Sequence, residues 1–330
     1  MVTEAHAADP LVAVVVPSHR RPHGLTELLD ALAEQTLPRD RWTVVVAHTY
    51  EPFEARSLLE EHELGRAGVL RDVAVEPQAA GPAHQRNCGL RAARGDLVAF
   101  TDDDCRPAAD WLERLVDCAL AHPGAVVQGT TRPDPRDAAA FEASPHPRSV
   151  WVEAPGRNAQ TCNILYPREL LEQLGGFDES FATAGEDVDL ALRAQEAGAV
   201  LVGAPDALVH HAVDALSLRE KLRHDAKWEN LPLLIKRHPR FRGEQCVLGL
   251  WWKREHVGAA LALAALAATP RRPWALVGLW PYYMAERRRH GEGLRARLRT
   301  IRELPAHWLV EIAEIGRFAR GSIRYRTLVL

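Results

Sequence analysis

Apolar residues come in two kinds of block along the first half of this chain. Leu11 to Val16, in "LVAVVVPSHRRP", form an unbroken, mostly β-branched run ended by Pro17. That is the pattern of a strand covered on both faces. Leu25, Leu28, Leu29 and Leu32 follow at helical spacing in "HGLTELLDALAEQTLP", until Pro38 stops them. The alternation continues: "WTVVVAH" predicts a strand, "PFEARSLLEEHELGRAG" a helix, "VLRDVAVEP" a short strand, "GPAHQRNCGLRAARG" a helix ending at Gly95, "DLVAFTDDD" a strand and "ADWLERLVDCALAHPG" a helix. Strands alternating with helices predict an α/β fold with a parallel sheet, whose ligands gather at the carboxyl ends of the strands. By that rule the residues Pro17 to Arg20 and Asp102 to Asp104 open onto one crevice.

The pattern then changes. "VVQGTTRPDP" reads as a strand leaving the crevice, and residues 133–158, rich in Pro, Ser and Arg, as a loop. "AQTCNILYPRELLEQLGGF" to "APDALVHHAV" predicts strand, helix, loop, helix, strand. From about Ser217 the chain is mostly helical and basic, with no internal repeat. Its longest apolar run, Val257 to Ala268, is about 12 residues, short of the about 18–20 that cross a bilayer. The opening "MVTEAHAADP" is polar and does not read as a signal peptide.

Charge sharpens this division. The net charge of -3 hides 18 Lys+Arg against 34 Asp+Glu in residues 1–218, and 23 against 10 in residues 219–330. An acidic front suits metal sites, and a basic rear suits phosphates or an anionic lipid surface. A length of 330 residues accommodates a domain over 10–218 and a helical C-terminal region over 219–330. The five cysteines are scattered without C-x-x-C spacing, which argues against zinc or a disulfide framework and for a reducing cytoplasm.

Four clusters carry candidate chemistry. In "TDDD", Asp102 and Asp104 just past a buried strand suit a ribose hydroxyl and a divalent ion, or else cap the next helix through a solvated turn. In "AGEDVDLALRAQEAG", Glu186 and Asp187 open an amphipathic helix. The helix dipole favours acids there, and a carboxylate so held beside a crevice is also placed to act as a general base. In "PDALVHHAV", His210 and His211 point to opposite faces at a strand end, so at most one joins a metal site. Arg86 and Asn87 open a helix, where arginine suits either a phosphate or a surface ion pair.

Taken in order, "VVVPSHRRPHGLTELLDALAEQTLP", "QRNCGLRAARGDLVAFTDDD", "LGGFDESFATAGEDVDLALRAQEAG" and "PDALVHH" resemble family 2 glycosyltransferases of the GT-A fold over roughly residues 10–218. The resemblance implies a mixed, mainly parallel sheet flanked by helices, and inverting transfer of a sugar from a nucleotide-diphosphate donor with Mg²⁺ or Mn²⁺. It makes Asp104 the main metal ligand, Asp102 a ribose or metal contact, and His211 a third group at the metal or diphosphate. It makes Asp187 the general base, with Glu186 assisting. Pro17, Ser18 and Arg20 match the nucleotide loop, and Arg86 and Asn87 the helix that flanks the nucleotide. Asp103 falls among the nucleotide-sugar contacts with an orienting task. One departure is visible. The family commonly has an aspartate after the second strand, where this chain reads Ala47, His48, Thr49 and no carboxylate until Glu51. That leaves UDP, GDP and dTDP open, with His48 and Thr49 as candidate base contacts.

The rear third mixes apolar segments, tryptophans and arginine runs, which fits a helical region lying on an anionic membrane face; a packed appendage or a homodimer surface are the alternatives. The acceptor is then a hydroxyl of a glycan or of a lipid-linked carrier. No nucleic-acid-binding motif is present. Two other functional readings remain: a non-catalytic nucleotide-sugar-binding relative, and a nucleotidyltransferase. The second calls for a glycine-rich loop that "PSHRRPHG" lacks.

Overall fold

The computed structural model describes residues 11–76, 81–288, 291 and 293–330; the polar opening "MVTEAHAADP" lies outside them. The chain divides into two compact units. The first holds nearly all of the residues up to Asp214, and the second holds 215–330 together with 144–146 and 183–185.

In the first unit the strands are β1 (Val12–Ser18), β2 (Trp42–His48), β3 (Leu70–Ala74), β4 (Leu97–Phe100), β5 (Cys105–Pro107), β6 (Val126–Pro133), the two-residue β7 (Pro147–Arg148), β8 (Ile164–Pro167) and β9 (Leu201–His211). Eight of them make one sheet in the order β3-β2-β1-β4-β8-β6-β9-β5. β1 runs parallel to β2 and β4, β2 to β3, and β6 to β9. β8 is antiparallel to β4 and β6, and β5 is antiparallel to β9. The carboxyl ends of β1, β2, β4, β6 and β9 therefore share one edge. β1 includes Pro17 and Ser18, so the strand runs two residues beyond the apolar block that announces it.

The helices are α1 (Pro22–Ala33), α2 (Pro52–Ala55), α3 (Glu63–Arg66), α4 (Pro82–Ala92), α5 (Trp111–Ala121), α6 (Ala138–Ala143), α7 (Arg168–Leu174) and α8 (Glu186–Glu196). The four leucines of α1 join Trp111, Leu112 and Leu115 of α5 on one face of the sheet. Ala83 and Leu90 of α4 join Leu190 and Ala194 of α8 on the other. Both faces are covered, which is why β1 is apolar throughout. Gly89 lets α4 lie close: a Cβ there would come within 2.6 Å of Val15 Cγ1. Two expectations change. The single helix expected across residues 52–68 is broken into α2, a wide turn at Arg56–Glu60, and α3. The loop expected over 133–158 contains α6 and β7.

The second unit contains α9 (Leu218–His224), α10 (Leu231–Arg237), α11 (Phe241–Gln245), α12 (Arg254–Ala268), a 3₁₀ segment Pro273–Leu279, α13 (Trp280–Arg287) and α14 (Leu294–Tyr325). Ser217 and Glu220 close a capping box that starts α9. Among the described residues, no helix is long and apolar enough to cross a membrane.

Candidate active site

The three aspartates after β4 have three different surroundings. Asp103 is buried. Its Oδ2 accepts the Ser18 hydroxyl at 2.8 Å and the His19 backbone N–H at 3.3 Å, and Arg21 stands 3.6 Å from its Oδ1. Burial, with repulsion from Asp104, pushes its pKa up to about 7. This carboxyl ties the end of β1 to the end of β4. Tyr50 completes the tie: its hydroxyl lies 2.8 Å from Ser18 Oγ and accepts from the Arg21 N–H at 3.2 Å.

Asp104 is gripped by the Arg21 guanidinium, and its Oδ1 lies 3.4 Å from His211 Nε2. Burial favours the neutral acid, but the charges of His211, Arg21 and Arg148 outweigh it and hold the pKa below the ordinary value. β5 sets this geometry, because its antiparallel pairing places Cys105 opposite His211. His211 Nδ1 lies 2.8 Å from the Ala212 carbonyl, which can only accept. Nδ1 therefore carries a proton, and Nε2 faces the carboxylate oxygen either as a second N–H or as a lone pair. Two acceptors so close call for a proton or a cation between them. Asp104 and His211 thus fit a divalent ion with hard-oxygen and imidazole ligands. Cys105 lies within the same 4.8 Å group. Burial pushes its thiol well up, so it stays protonated and a poor ligand. A second such group, His256, Glu311 and Glu314, lies in the helical unit. There Lys253 Nζ already stands 2.8 Å from Glu311 and 2.6 Å from Glu314.

Asp102 is joined to the other acidic cluster by one side chain. Arg86, on α4, donates to Asp102 Oδ1 at 2.7 Å and to Glu186 Oε1 at 2.8 Å. It is almost wholly buried and lies over the Phe177 ring. The carboxylates drive its pKa still higher than usual despite burial. Glu186 is therefore an ion-pair partner. Asp187 accepts the Val188 N–H at 2.8 Å, and burial together with the charge of Glu186 pushes its pKa up to about 7. A carboxyl with that pKa can take a proton near neutrality.

Other candidates fall elsewhere. Asn87 is buried on α4. Its amide donates to the Phe177 carbonyl at 2.8 Å and Glu179 at 2.9 Å, and accepts the Phe177 N–H at 2.8 Å, pinning the loop before α8. Pro17 is a buried strand residue. Arg20 is exposed and takes a left-handed backbone with φ 56°. Thr49 Oγ1 lies 2.6 Å from His19 Nδ1. His48 is buried with Nε2 3.4 Å from Asp72 Oδ2. Asp72 lies on β3, paired in register with Val46 of β2.

The sequence matches the family described as Glycosyl transferase family 2 over residues 13–175, and Glycosyl transferase family group 2 over residues 97–286. The chain belongs to family 2 of the glycosyltransferases. The succinoglycan biosynthesis protein ExoM of Rhizobium meliloti is 31% identical over 221 residues, covering 61% of this chain and 67% of that protein. The pre-mycofactocin glycosyltransferase of Mycobacterium tuberculosis is 34% identical over 231 residues, covering 63% of this chain and 45% of that protein. The fold is like that of the mannosyltransferase PcManGT from Pyrobaculum calidifontis, with a TM-score of 0.54 and 23% identity, across 97% of this chain and 88% of that one. Staphylococcus aureus TarS is similar, with a TM-score of 0.51 and 17% identity, across 96% and 92%. This transferase has the GT-A sheet and a C-terminal helical region.

Sequence reasoning on the transferase missed Arg21, Tyr50 and Asp72. The doubled arginine of "SHRRP" was a usable signal for Arg21. Asp72 carried none, since only strand register brings it beside His48.

Proposed function

We propose that this transferase moves a sugar, with inversion, from a nucleotide-diphosphate donor to a hydroxyl of a glycan or lipid-linked acceptor. The observation that carries the reading is the separation of tasks at Arg86. On one side Asp102 leads to Asp104 and His211; on the other Asp187 holds a pKa of about 7. Asp187 accepts the acceptor's O–H proton as that oxygen bonds to the anomeric carbon. The electron pair of the breaking sugar–oxygen bond goes to the diphosphate, where Arg21 is near enough to offset the charge. One displacement inverts the anomeric centre.

Asp104 and His211 would hold Mg²⁺ or Mn²⁺, which when bound would supply Lewis-acid stabilisation of the departing diphosphate. Two structures of the same fold support the donor class: PcManGT in complex with GDP-Man and Mn²⁺, and TarS in complex with UDP. The base of the nucleotide sits by the His19–Thr49 pair and His48, with Asp72 supplying the acid behind His48. The relatives named for succinoglycan and O-antigen biosynthesis support a polysaccharide or its carrier as acceptor, at the cytoplasmic face of the cell envelope.

Nucleotide release from a panel of donors tests this. Asp187→Asn should abolish turnover while leaving nucleotide affinity intact, and Asp104→Ala should weaken both. Unchanged turnover in the two variants would overturn the assignment. Thr49→Ala should relax the choice among UDP, GDP and dTDP donors, and an unaltered preference would remove Thr49 from the base site.

A further inference from the structure

The helical unit packs one helix in reverse. In α12 the buried positions Ala259, Ala262 and Ala265 make a stripe of small residues. Its large residues, Leu261, Leu263 and Leu266, are exposed on the remaining surface. The returning segment repeats this, with Trp274 70%, Val277 75% and Trp280 60% exposed. The two passes touch through their smallest residues: a Cβ on Gly278 would fall 2.8 Å from Ala265 Cβ. Trp308 of α14 donates to the Ala259 carbonyl at 3.1 Å and seals the inner side. In water the arrangement is the wrong way round, because large apolar groups stay wet while methyl groups are buried. In hydrocarbon it is the expected one, with small residues at helix contacts and leucines toward lipid.

Charge identifies what covers this face. No Asp or Glu occurs between Glu255 and Glu286. The turn joining the two passes is tipped by exposed Arg271 and Arg272, and Arg288 is exposed after α13. A second copy docked on this face about a two-fold axis would offer these arginines no carboxylate from the stretch between its own Glu255 and Glu286. Anionic headgroups would neutralise them, and tryptophans suit the boundary between headgroup and chain. At 15 residues, α12 is about 22 Å long, less than the about 30 Å of a bilayer core.

We infer that the hairpin of α12, the 3₁₀ segment and α13 lies along the boundary between headgroups and acyl chains of one leaflet of an anionic membrane, its turn arginines at headgroup depth. This rests on the helical unit alone and is independent of the transfer chemistry.

The test uses the full chain with vesicles of phosphatidylcholine containing phosphatidylglycerol, and with phosphatidylcholine alone. The protein should float with the anionic vesicles. Brominated acyl chains should quench its fluorescence, and Trp274→Phe with Trp280→Phe should remove most of that quenching. Leu261→Ser, Leu263→Ser and Leu266→Ser together should lower the bound fraction at least about tenfold while leaving the circular dichroism melt unchanged, since these side chains are exposed. Arg271→Glu with Arg272→Glu should lower it by about tenfold and flatten its salt dependence. Wild-type protein remaining at the bottom at low salt, absence of bromine quenching, or equal flotation of the leucine variant would overturn the inference. So would a wild-type dimer in lipid-free sedimentation that the leucine variant loses without any change in flotation.

Discussion

The two units of this transferase solve opposite packing problems. In the first, leucines and valines fill both faces of a sheet, and the acids collect at the open ends of its strands. In the second, α14 turns Glu303, His307, Glu311 and Glu314 inward, while leucines and tryptophans of α12 and its return face out. The inward charges are matched. Glu286 lies 2.8 Å from His307, and Glu314 lies 3.1 Å from His256 and 2.6 Å from Lys253. The contrast teaches that polarity is spent differently in each. The first unit gathers its acidic clusters near the carboxyl ends of strands, bonded to Ser18, Arg21 and Arg86, and the second aligns the buried Glu303, Glu311 and Glu314 along one helix.

The largest expected effect separates those uses. Asp187→Asn should lower kcat by about 10²–10⁴-fold with little change in thermal stability, read by nucleotide release beside a melting curve. Glu314→Ala should do the reverse. Removing Glu314 leaves Lys253 and His256 with Glu311 alone and costs about 1–3 kcal/mol. Denaturant unfolding would show this as an early transition of the helical unit; a melt like that of wild type would mean that these charges fasten nothing.

An intermediate effect comes with pH. Asp187 has its pKa raised from 3.8 to about 7, so it is protonated below neutrality, where the proposed base would be idle. Turnover should rise about tenfold per pH unit up to about 7 and level off above it. The stability consequence has the opposite sign. Between pH 4 and about 7 the folded chain keeps a proton on Asp187 that the unfolded chain has lost, so this contribution to stability falls as pH rises through that window. Glu314 is held well below the ordinary range: His256 and Lys253 outweigh the opposing effect of burial. Its contribution is present at neutral pH and is lost as pH falls into acid. The smallest expected effect sharpens the contrast most. Leu29→Ala, inside the first unit, should cost about 2–5 kcal/mol. Leu263→Ser, outside the second, should stay within about 0.5 kcal/mol in lipid-free buffer.

Much of the first unit could be read from the chain, for stated reasons. The run Leu11–Val16 has one physical explanation, burial on both faces, and the apolar run of β4 places the aspartates just past its carboxyl end. What could not be read depended on distant pairing. β5 is three residues with an arginine and a proline, and only its partner β9 makes it a strand. Asn87 looks like a helix residue facing a ligand, until Phe177 and Glu179 fold back onto it 90 and 92 residues later. In the helical unit the chain showed apolar segments, tryptophans and arginines, but not which residues face out, because alanine suits either side of a helix.

Arg86 has a thermodynamic meaning beyond holding two carboxylates together. Asp187 is sensitive to both of its neighbours: the Arg86 charge lowers its pKa and the Asp102 charge raises it. Positive charge arriving at Asp102 would therefore ease the proton off Asp187. By reciprocity a deprotonated Asp187 would favour that arrival by the same factor. Loading the donor side and arming the base are then two readings of one equilibrium, connected by a single guanidinium.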